Sequence, residues 1–453
     1  ATIYGVYCSS VIRISGPQAL TSLHKMTKSS KLEARKALLR KIYDPLTKEL
    51  LDEGLCLWFP GPNSFTGEDL VEFQVHGGSA VVTSILSALS KLYFQPAAPG
   101  EFTKRAFLNG KLDLTEAEGI GDLIEAETEK QRKQASRQAN GSLRKLYNCW
   151  RLTLLNALAS LEAHVDFSEE HDLDSNVLQV SQSNLKRLSS DIKEHLFDGR
   201  KGEILHNGVQ VAILGEPNVG KSSLLNLLSG KDAAIVTSIP GTTRDVLELV
   251  MDIGGYPMIL ADTAGIREDP KDEVEIEGIK RARERVKTAD LLLCLISADK
   301  NYTDSFDNYL QNNKHLLELE QEDKKVLIVM NKIDLIRKEE RQNLRLHNVI
   351  PISCKTHEGL RELTTRLIEC FEEICGDPSE ENPLISHARY RNHLSRALEY
   401  LEAYFEKTEI QDYDVAITLQ DIRNAIREVG KITGNVSNEE ILGVIFSKFC
   451  VGK

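Results

Sequence analysis

Gly215-Glu216-Pro217-Asn218-Val219-Gly220-Lys221-Ser222 matches the phosphate-loop pattern G-x-x-x-x-G-K-S/T. The flanks suit it. Val209-Gln210-Val211-Ala212-Ile213-Leu214 reads as a buried strand entering the loop, and Ser222-Ser223-Leu224-Leu225-Asn226-Leu227-Leu228 as a helix leaving it. Glycines let the backbone curl so that successive N–H groups face phosphate oxygens, and the helix N-terminus adds its positive end. Lys221 is placed to reach the β- and γ-phosphates, and the Ser222 hydroxyl to ligate Mg²⁺. Asn218, Val219, Gly220 and Ser223 complete the expected nucleotide-binding loop.

Working outward, Asn331-Lys332-Ile333-Asp334 follows the apolar run Val326-Leu327-Ile328-Val329-Met330, at a strand end where open α/β sheets bind ligands. A carboxylate such as Asp334 accepts from N1–H and the 2-amino group of guanine. Adenine offers neither donor there and would leave the carboxylate unpaired. Ser353-Cys354-Lys355, after Val349-Ile350-Pro351-Ile352, stands where a second guanine-facing loop belongs. Between these lies Met258-Ile259-Leu260-Ala261-Asp262-Thr263-Ala264-Gly265. Asp262 is expected to hold Mg²⁺ through water, and the Gly265 amide to sense the γ-phosphate. The set predicts a GTPase domain over residues 206–370.

A chain of 453 residues predicts two or three domains. A net charge of −12 argues against a generic nucleic-acid-binding surface, though not against a local basic patch. No apolar run reaches membrane-spanning length, so no membrane partner is expected. The eight cysteines form no C-x-x-C pair, which fits a reducing compartment, and Cys370 and Cys375 read as packing residues. The chain opens on Ala1 with no visible leader, which says nothing about targeting.

No proline occurs between Pro99 and Pro217 or after Pro383, and both stretches read as helical. Thr115-Glu116-Ala117-Glu118 predicts a capping box, and Ser437-Asn438-Glu439-Glu440 another. Leu143, Leu146, Trp150, Leu154, Leu158, Leu161 and Val165 form an amphipathic stripe, and Ile441, Ile445 and Phe449 a second. Each stretch needs a partner for its apolar face. Packing one against the other makes a single helical domain, residues 113–205 with 371–453, interrupted by the inserted GTPase domain. Residues 1–112 differ. Val11-Ile12-Arg13-Ile14, Leu55-Cys56-Leu57-Trp58-Phe59 and Val71-Glu72-Phe73-Gln74-Val75 read as strands and 79–93 as a helix, a small α/β domain. His76, before Gly77-Gly78, reads as a turn or core histidine.

Further segments carry a family resemblance: Ser64-Phe65-Thr66-Gly67-Glu68-Asp69, Gly100-Glu101-Phe102-Thr103-Lys104-Arg105-Ala106-Phe107 and Asn109-Gly110-Lys111-Leu112-Asp113-Leu114. Pro240-Gly241-Thr242-Thr243-Arg244-Asp245, Asp262-Thr263-Ala264-Gly265-Ile266-Arg267-Glu268 and the terminal Phe449-Cys450-Val451-Gly452-Lys453 join them. Over nearly its whole length the chain resembles the MnmE (TrmE) tRNA-modification GTPases, and more the mitochondrial than the bacterial branch. The resemblance implies an N-terminal domain, similar to folate-binding domains, that dimerises and binds a 5-formyl-tetrahydrofolate-type one-carbon donor. It implies a discontinuous helical domain carrying the GTPase domain, and an FAD-containing partner, MnmG. Together these build a substituted methyl group on C5 of the wobble uridine of certain tRNAs. The added amine is typically taurine in animal mitochondria and glycine or ammonium in bacteria. A mitochondrial location is implied, or the bacterial cytoplasm if the source is not eukaryotic. The family's glycine-rich loop before the first strand is not matched here, since Cys8-Ser9-Ser10 runs straight into Val11.

Ile266 stands where Ras-like GTPases carry a water-orienting Gln, and an isoleucine cannot hydrogen-bond water. The resemblance nominates Glu275 for that task. It replaces an arginine finger by K⁺, held by Asn218 and the backbone of the loop through Thr237, Ile239 and Thr242. Thr243 is expected to complete the Mg²⁺ shell when GTP orders the loop, and Lys221 and Thr243 join Glu275 as catalytic candidates. Arg13 and Lys111 match folate positions, and a cation suits a glutamate-tailed cofactor. Cys450 is a candidate thiol near the transferred carbon; without the resemblance it reads as a packing residue. The competing readings are a GTP-switched assembly factor without modification chemistry, and a dimeric scaffold whose N-terminal domain only oligomerises.

Overall fold

The computed structural model describes residues 8–28, 33–167, 175–198, 200–215, 218–231, 234–235, 249–260, 288–298, 324–336, 349–378, 383–409, 415–436, 439–447 and 449. Contacts divide the chain into two compact units, one of residues 1–121, 138–156 and 423–453, the other of 122–137 and 157–422.

The first unit opens with β1 (Ser9–Ser15), α1 (Ala19–Thr27), β2 (Leu38–Tyr43), β3 (Leu50–Phe59), β4 (Leu70–His76) and α2 (Ser79–Ser90). The four strands form an antiparallel sheet in the order β1-β4-β3-β2. Period-two alternation decides the faces. Ile12, Ile14, Val71, Phe73 and Val75 point inward to meet Leu23 and Met26 of α1 and Ile85 and Leu89 of α2. Burying each such side chain contributes about 1.5–3 kcal/mol. Val11, Leu39 and Leu55 point to the other face and are exposed. β2 and α1 were not anticipated. Arg40 and Lys41 interrupt the apolar alternation of β2, and α1 is short, although Ala19, Leu23 and Met26 are spaced for one buried helical face. α2 ends at Ser90, three residues before the expected end.

Helices follow: α3 (Glu101–Leu108), α4 (Leu114–Glu125), α5 (Glu129–Ala139), α6 (Ser142–Phe167), α7 (Ser175–Leu196) and α8 (Lys201–Asn207). The box that starts α4 lies two residues earlier than Thr115–Glu118. The Glu116 N–H donates to Asp113 Oδ1 at 2.8 Å, and the Asp113 N–H donates to Glu116 Oε2 at 2.8 Å. Asp113 wins because its carboxylate satisfies an orphan helix donor while Glu116 reaches back, with Thr115 itself donating to Asp113. In α6 the buried stripe is Leu143, Tyr147, Trp150, Leu154, Ala157 and Leu161, so Tyr147 and Ala157 take the places expected for Leu146 and Leu158, which are only half-buried. The side chain of Val165 lies outside the described residues.

After the nucleotide-binding region come α11 (Ala388–Thr408), α12 (Val415–Thr433) and α13 (Glu439–Ser447), with α9 (Lys221–Lys231) and α10 (Leu360–Cys375) inside that region. The expected pairing of the two helical stretches is present. α7 and α11 pack together, joined by Lys193–Glu402 at 2.7 Å. Arg391 on α11 pairs with Asp198 and with Glu203 of α8. In the first unit, Leu442, Phe446 and Phe449 bury against Leu114 and Ala117. Of the expected Ile441, Ile445 and Phe449 stripe, Phe449 is buried in this cluster and Ile445 packs against it, while the side chain of Ile441 lies outside the described residues. The Ser437-Asn438 cap lies outside the described residues.

The nucleotide-binding sheet runs β11-β10-β9-β5-β8-β7-β6, with β5 (Val209–Leu214), β6 (Ala234–Ile235), β7 (Leu249–Ile253), β8 (Tyr256–Leu260), β9 (Leu291–Ser297), β10 (Lys325–Asn331) and β11 (Val349–Pro351). β8, β5, β9, β10 and β11 are parallel, and β7 runs antiparallel to both β8 and β6. β9 and the strands after it lie on one side of β5, and β6–β8 on the other. The chain therefore reverses winding direction beside β5, where doubly wound sheets bind ligands. α10 buries Leu360, Leu363, Leu367, Cys370, Phe371 and Cys375 on one stripe against this sheet's core. Burial pushes the Cys375 thiol up to about 12, so both cysteines pack, as expected. Among the described residues, no helix is long and apolar enough to cross a membrane.

Candidate nucleotide site

β5 ends at Leu214 and α9 begins at Lys221, so the phosphate loop occupies the turn between them. Gly215 and Gly220 have φ of 156° and 101°, and Asn218 adopts φ of 65°. A Cβ at Gly215 would strike the Leu295 carbonyl, and one at Gly220 the Asn331 side chain. Glycine is required at both by conformation and by space. Lys221 Nζ donates to the Gly215 carbonyl at 2.7 Å, which holds the cation across the mouth of the loop. Ser222, at the first turn of α9, is half-buried, and Ser223 is exposed.

Asn331, at the end of β10, is 2% exposed and joins two loops. Its Nδ2 donates to the Val219 carbonyl at 2.8 Å, and its Oδ1 accepts from the Cys354 N–H at 3.0 Å. Its amide is thus committed to the protein. Lys332 is held at φ of 65°, and a single 3₁₀ turn spans Ile333–Leu335. Ser353 Oγ donates to Asp334 Oδ1 at 2.7 Å, orienting the carboxylate. The Ser353 hydroxyl also accepts from the Thr356 N–H, which fixes the Ser353–Lys355 turn. Burial raises the Cys354 thiol, so it acts as a neutral spacer, while Lys355 is exposed. The structure therefore brings Asn218, Val219, Gly220, Lys221, Ser222, Asn331, Lys332, Asp334, Ser353, Cys354 and Lys355 to the carboxyl ends of β5, β10 and β11. Thr237, Ile239, Thr242, Thr243, Asp262, Gly265, Ile266, Glu275 and Cys450 lie outside the described residues.

In the first unit, Arg13 and Lys111 flank one segment. Arg13 pairs across the sheet with Glu72 at 2.9 Å, and its guanidinium lies 5.9 Å from the ring centroids of Phe65 and Phe102. Lys111 is exposed, its stem beside Gly67. The intervening turn is anchored by residues that sequence reasoning did not single out. Arg105 pairs with Glu68 at 2.9 Å, Ser15 donates to the same carboxylate at 2.8 Å, and Asn109 donates to the Thr66 carbonyl at 2.7 Å. For Glu68, Arg105 and Asn109 the only sequence signal was membership of the quoted segments, and Ser15 had none. His76 is neither core nor turn-buried. It is exposed at the end of β4, with Nδ1 2.8 Å from Asp52.

A family model described as GTP-binding protein TrmE N-terminus matches residues 1–111, and one described as MnmE helical domain matches residues 114–450. The chain belongs to the MnmE/TrmE family of tRNA modification GTPases. Relatives in this family include the mitochondrial 5-taurinomethyluridine-tRNA synthase subunit GTPB3 of Danio rerio, 44% identical over 98% of this chain and 90% of the relative. The Homo sapiens protein of the same name is 45% identical with the same coverage. The tRNA modification GTPase MnmE of Rickettsia rickettsii is 43% identical over 100% of this chain and 98% of the relative. In this MnmE/TrmE chain, the joined loops at the sheet end are the GTPase part, and the four-stranded sheet with α1 and α2 is the TrmE N-terminal part.

Proposed function

We propose that this chain is a K⁺-dependent GTP hydrolase. With an FAD-containing MnmG-type partner it modifies C5 of the wobble uridine of tRNA, drawing the carbon from a tetrahydrofolate donor. The observation that carries this reading is family membership along the whole chain, from the TrmE N-terminal match to the helical match ending at residue 450. A GTPase acting only as an assembly factor would need neither end. The proposal includes the division into an N-terminal domain over residues 1–112, helical parts over 113–205 and 371–453, and a GTPase domain over 206–370, with the closing helix of the GTPase domain running on to Cys375.

In this reading Lys221 neutralises the β- and γ-phosphates, and Ser222, Thr243 and Asp262 hold Mg²⁺. Asn218, with the backbone of Thr237–Thr242, holds K⁺ where an arginine finger would act. Asp334 reads guanine, with Ser353 fixing its carboxylate. Glu275 orients the attacking water, a task Ile266 cannot perform. The stacked Arg13, exposed Lys111 and anchored Ser64–Asp69 turn support an anionic, aromatic cofactor in the N-terminal domain. The open sheet face bearing Val11, Leu39 and Leu55 supports a homodimer. Phe449 buries beside Phe446 and Gly121, and family resemblance nominates the next residue, Cys450, as the thiol near the transferred carbon. A mitochondrial setting is supported by the mitochondrial relatives, and a bacterial one by the Rickettsia relative.

Mass spectrometry of tRNA from a strain lacking this protein tests the function. The C5-substituted wobble uridine should disappear and return with the wild-type gene but not with Lys221→Ala. Unchanged tRNA would overturn the reading.

A further inference from the structure

We propose that Asp122, His206 and His387 form a binding site for a divalent transition ion of the Zn²⁺ or Co²⁺ class, separate from the Mg²⁺ and K⁺ of the nucleotide site. The three residues are remote in sequence. Asp122 is on α4, His206 is near the end of α8 three residues ahead of β5, and His387 is the residue before α11. The fold brings one ligand atom of each within 4.8 Å of the others. His387 Nε2 lies 3.0 Å from Asp122 Oδ2, and His206 Nδ1 lies 3.7 Å from Asp122 Oδ1. The imidazole centroids are 4.5 Å apart, with ring planes at 59°. In a tetrahedral site with metal–ligand bonds of about 2.0–2.1 Å, ligand atoms sit about 3.3 Å apart, so small rotations close the set around an ion.

The ligand chemistry selects the ion. Two imidazoles and a carboxylate suit Zn²⁺ or Co²⁺, whereas Mg²⁺ and Ca²⁺ prefer oxygen-only shells. The neighbouring contacts hold the segments that carry the ligands. Gln131 Nε2 donates to the His206 carbonyl at 3.0 Å, and Gln134 Nε2 donates to the Gly202 carbonyl at 3.0 Å, which together fix α8. The His387 ring packs edge-on to the fully buried Tyr390, 5.2 Å between centroids. Asp122 and His206 open on a cavity of about 330 Å³ that Glu125, Gln131 and Asn207 also line. This leaves room for water to fill the remaining coordination position. An ion here would clamp α4 to the two chain segments that lead into β5 and into α11. It would thereby fix where the nucleotide-binding sheet joins the helices.

The test uses the full chain, stripped with chelator and titrated with Co²⁺ under calorimetry and visible absorption. One ion per chain should bind with a nitrogen- and oxygen-ligand spectrum, and Zn²⁺ but not Mg²⁺ should raise the unfolding temperature in the absence of nucleotide. Outer-shell substitutions already weaken metal sites by about 10–100-fold. The ligand variant His206→Gln/His387→Gln should therefore weaken Co²⁺ binding more than about 100-fold while GTP binding is unchanged. Should that variant fail to fold, the near-isosteric Asp122→Asn carries the comparison. No Co²⁺ binding by the wild type, equal binding by the variants, or a thiolate charge-transfer spectrum would each overturn the proposal.

Discussion

Asn331 shows how one side chain can assemble a site without touching the reaction. Its two hydrogen bonds tie the phosphate loop to the Ser353–Lys355 loop from a fully buried position. Asn331→Ala leaves the Val219 carbonyl and the Cys354 N–H without their partner, about 1–3 kcal/mol for each buried group. GTP affinity should fall roughly 10–100-fold, read by titration with a fluorescent GTP analogue; unchanged affinity would mean the loops hold each other by other contacts. Asn218 is exposed at φ of 65°, a conformation asparagine tolerates, on the outer edge of the phosphate loop. GTP turnover should rise strongly in KCl over NaCl, and Asn218→Ala should flatten that difference. Equal wild-type turnover in both salts would sink the K⁺ assignment. Glu275→Ala should lower kcat about a hundredfold, a typical acid–base or positioning effect, with nucleotide affinity held by Lys221, Ser222 and Asp334. Normal turnover in single-turnover assays would move attention to Glu273 and Glu277.

At the scale of elements, helix starts and buried faces depend on which of several possible partners is met. Asp113 caps α4, yet burial pushes its carboxyl up to about 6 from 3.8, against the hydrogen bonds from the Glu116 N–H and the Thr115 hydroxyl that pull it down. Its Oδ2 has no hydrogen-bond partner among the described residues, in keeping with a proton there. The sign follows from proton binding. As pH falls from about 6 to about 3.8, the folded chain takes up this proton before the unfolded chain does, so acidification stabilises the fold through Asp113. Above about 6 that contribution is lost. Asp113→Ala should cost about 0.5–2 kcal/mol for the cap. The cost should be about 1–2 kcal/mol larger near pH 4.5 than near pH 8 in urea unfolding. A cost independent of pH would refute the buried, protonated carboxyl.

At the scale of the whole molecule, α13 and Phe449 pack on α3 and α4 within one unit. A Cβ at Gly100 would strike the Phe446 carbonyl, Phe107 and Phe446 stack at 6.3 Å between centroids, and the Phe449 ring lies against Gly121. The C-terminal segment is therefore packed on helices that directly follow the N-terminal sheet. Cys450→Ser should leave GTP turnover at the wild-type rate, since the nucleotide loops are built from β5, β10 and β11, and should abolish C5 modification of tRNA measured by mass spectrometry. Full modification by this variant would return Cys450 to a packing role.

The nucleotide loops were legible in sequence because their chemistry is local. Gly215, Gly220, Lys221 and Ser222 act through backbone conformation and reach that a short segment encodes, and Asp334 follows directly on its strand. The folate candidates, Glu275 and the proposed K⁺ loop were nominated only by family resemblance, since a solvated charge carries no pattern of its own. Tertiary structure alone decided which phase of each helix was buried. In α6, Leu146 and Tyr147 are adjacent candidates for the same face, and packing chose Tyr147. It likewise chose Asp113 over Thr115 as a cap, with the Thr115 hydroxyl donating to the capping carboxylate. The contacts of Asn331 with Val219 and of His387 with Asp122 span 112 and 265 residues. No periodicity records such distances, because they are set by how sheets and helices stack rather than by the spacing of residues along the chain.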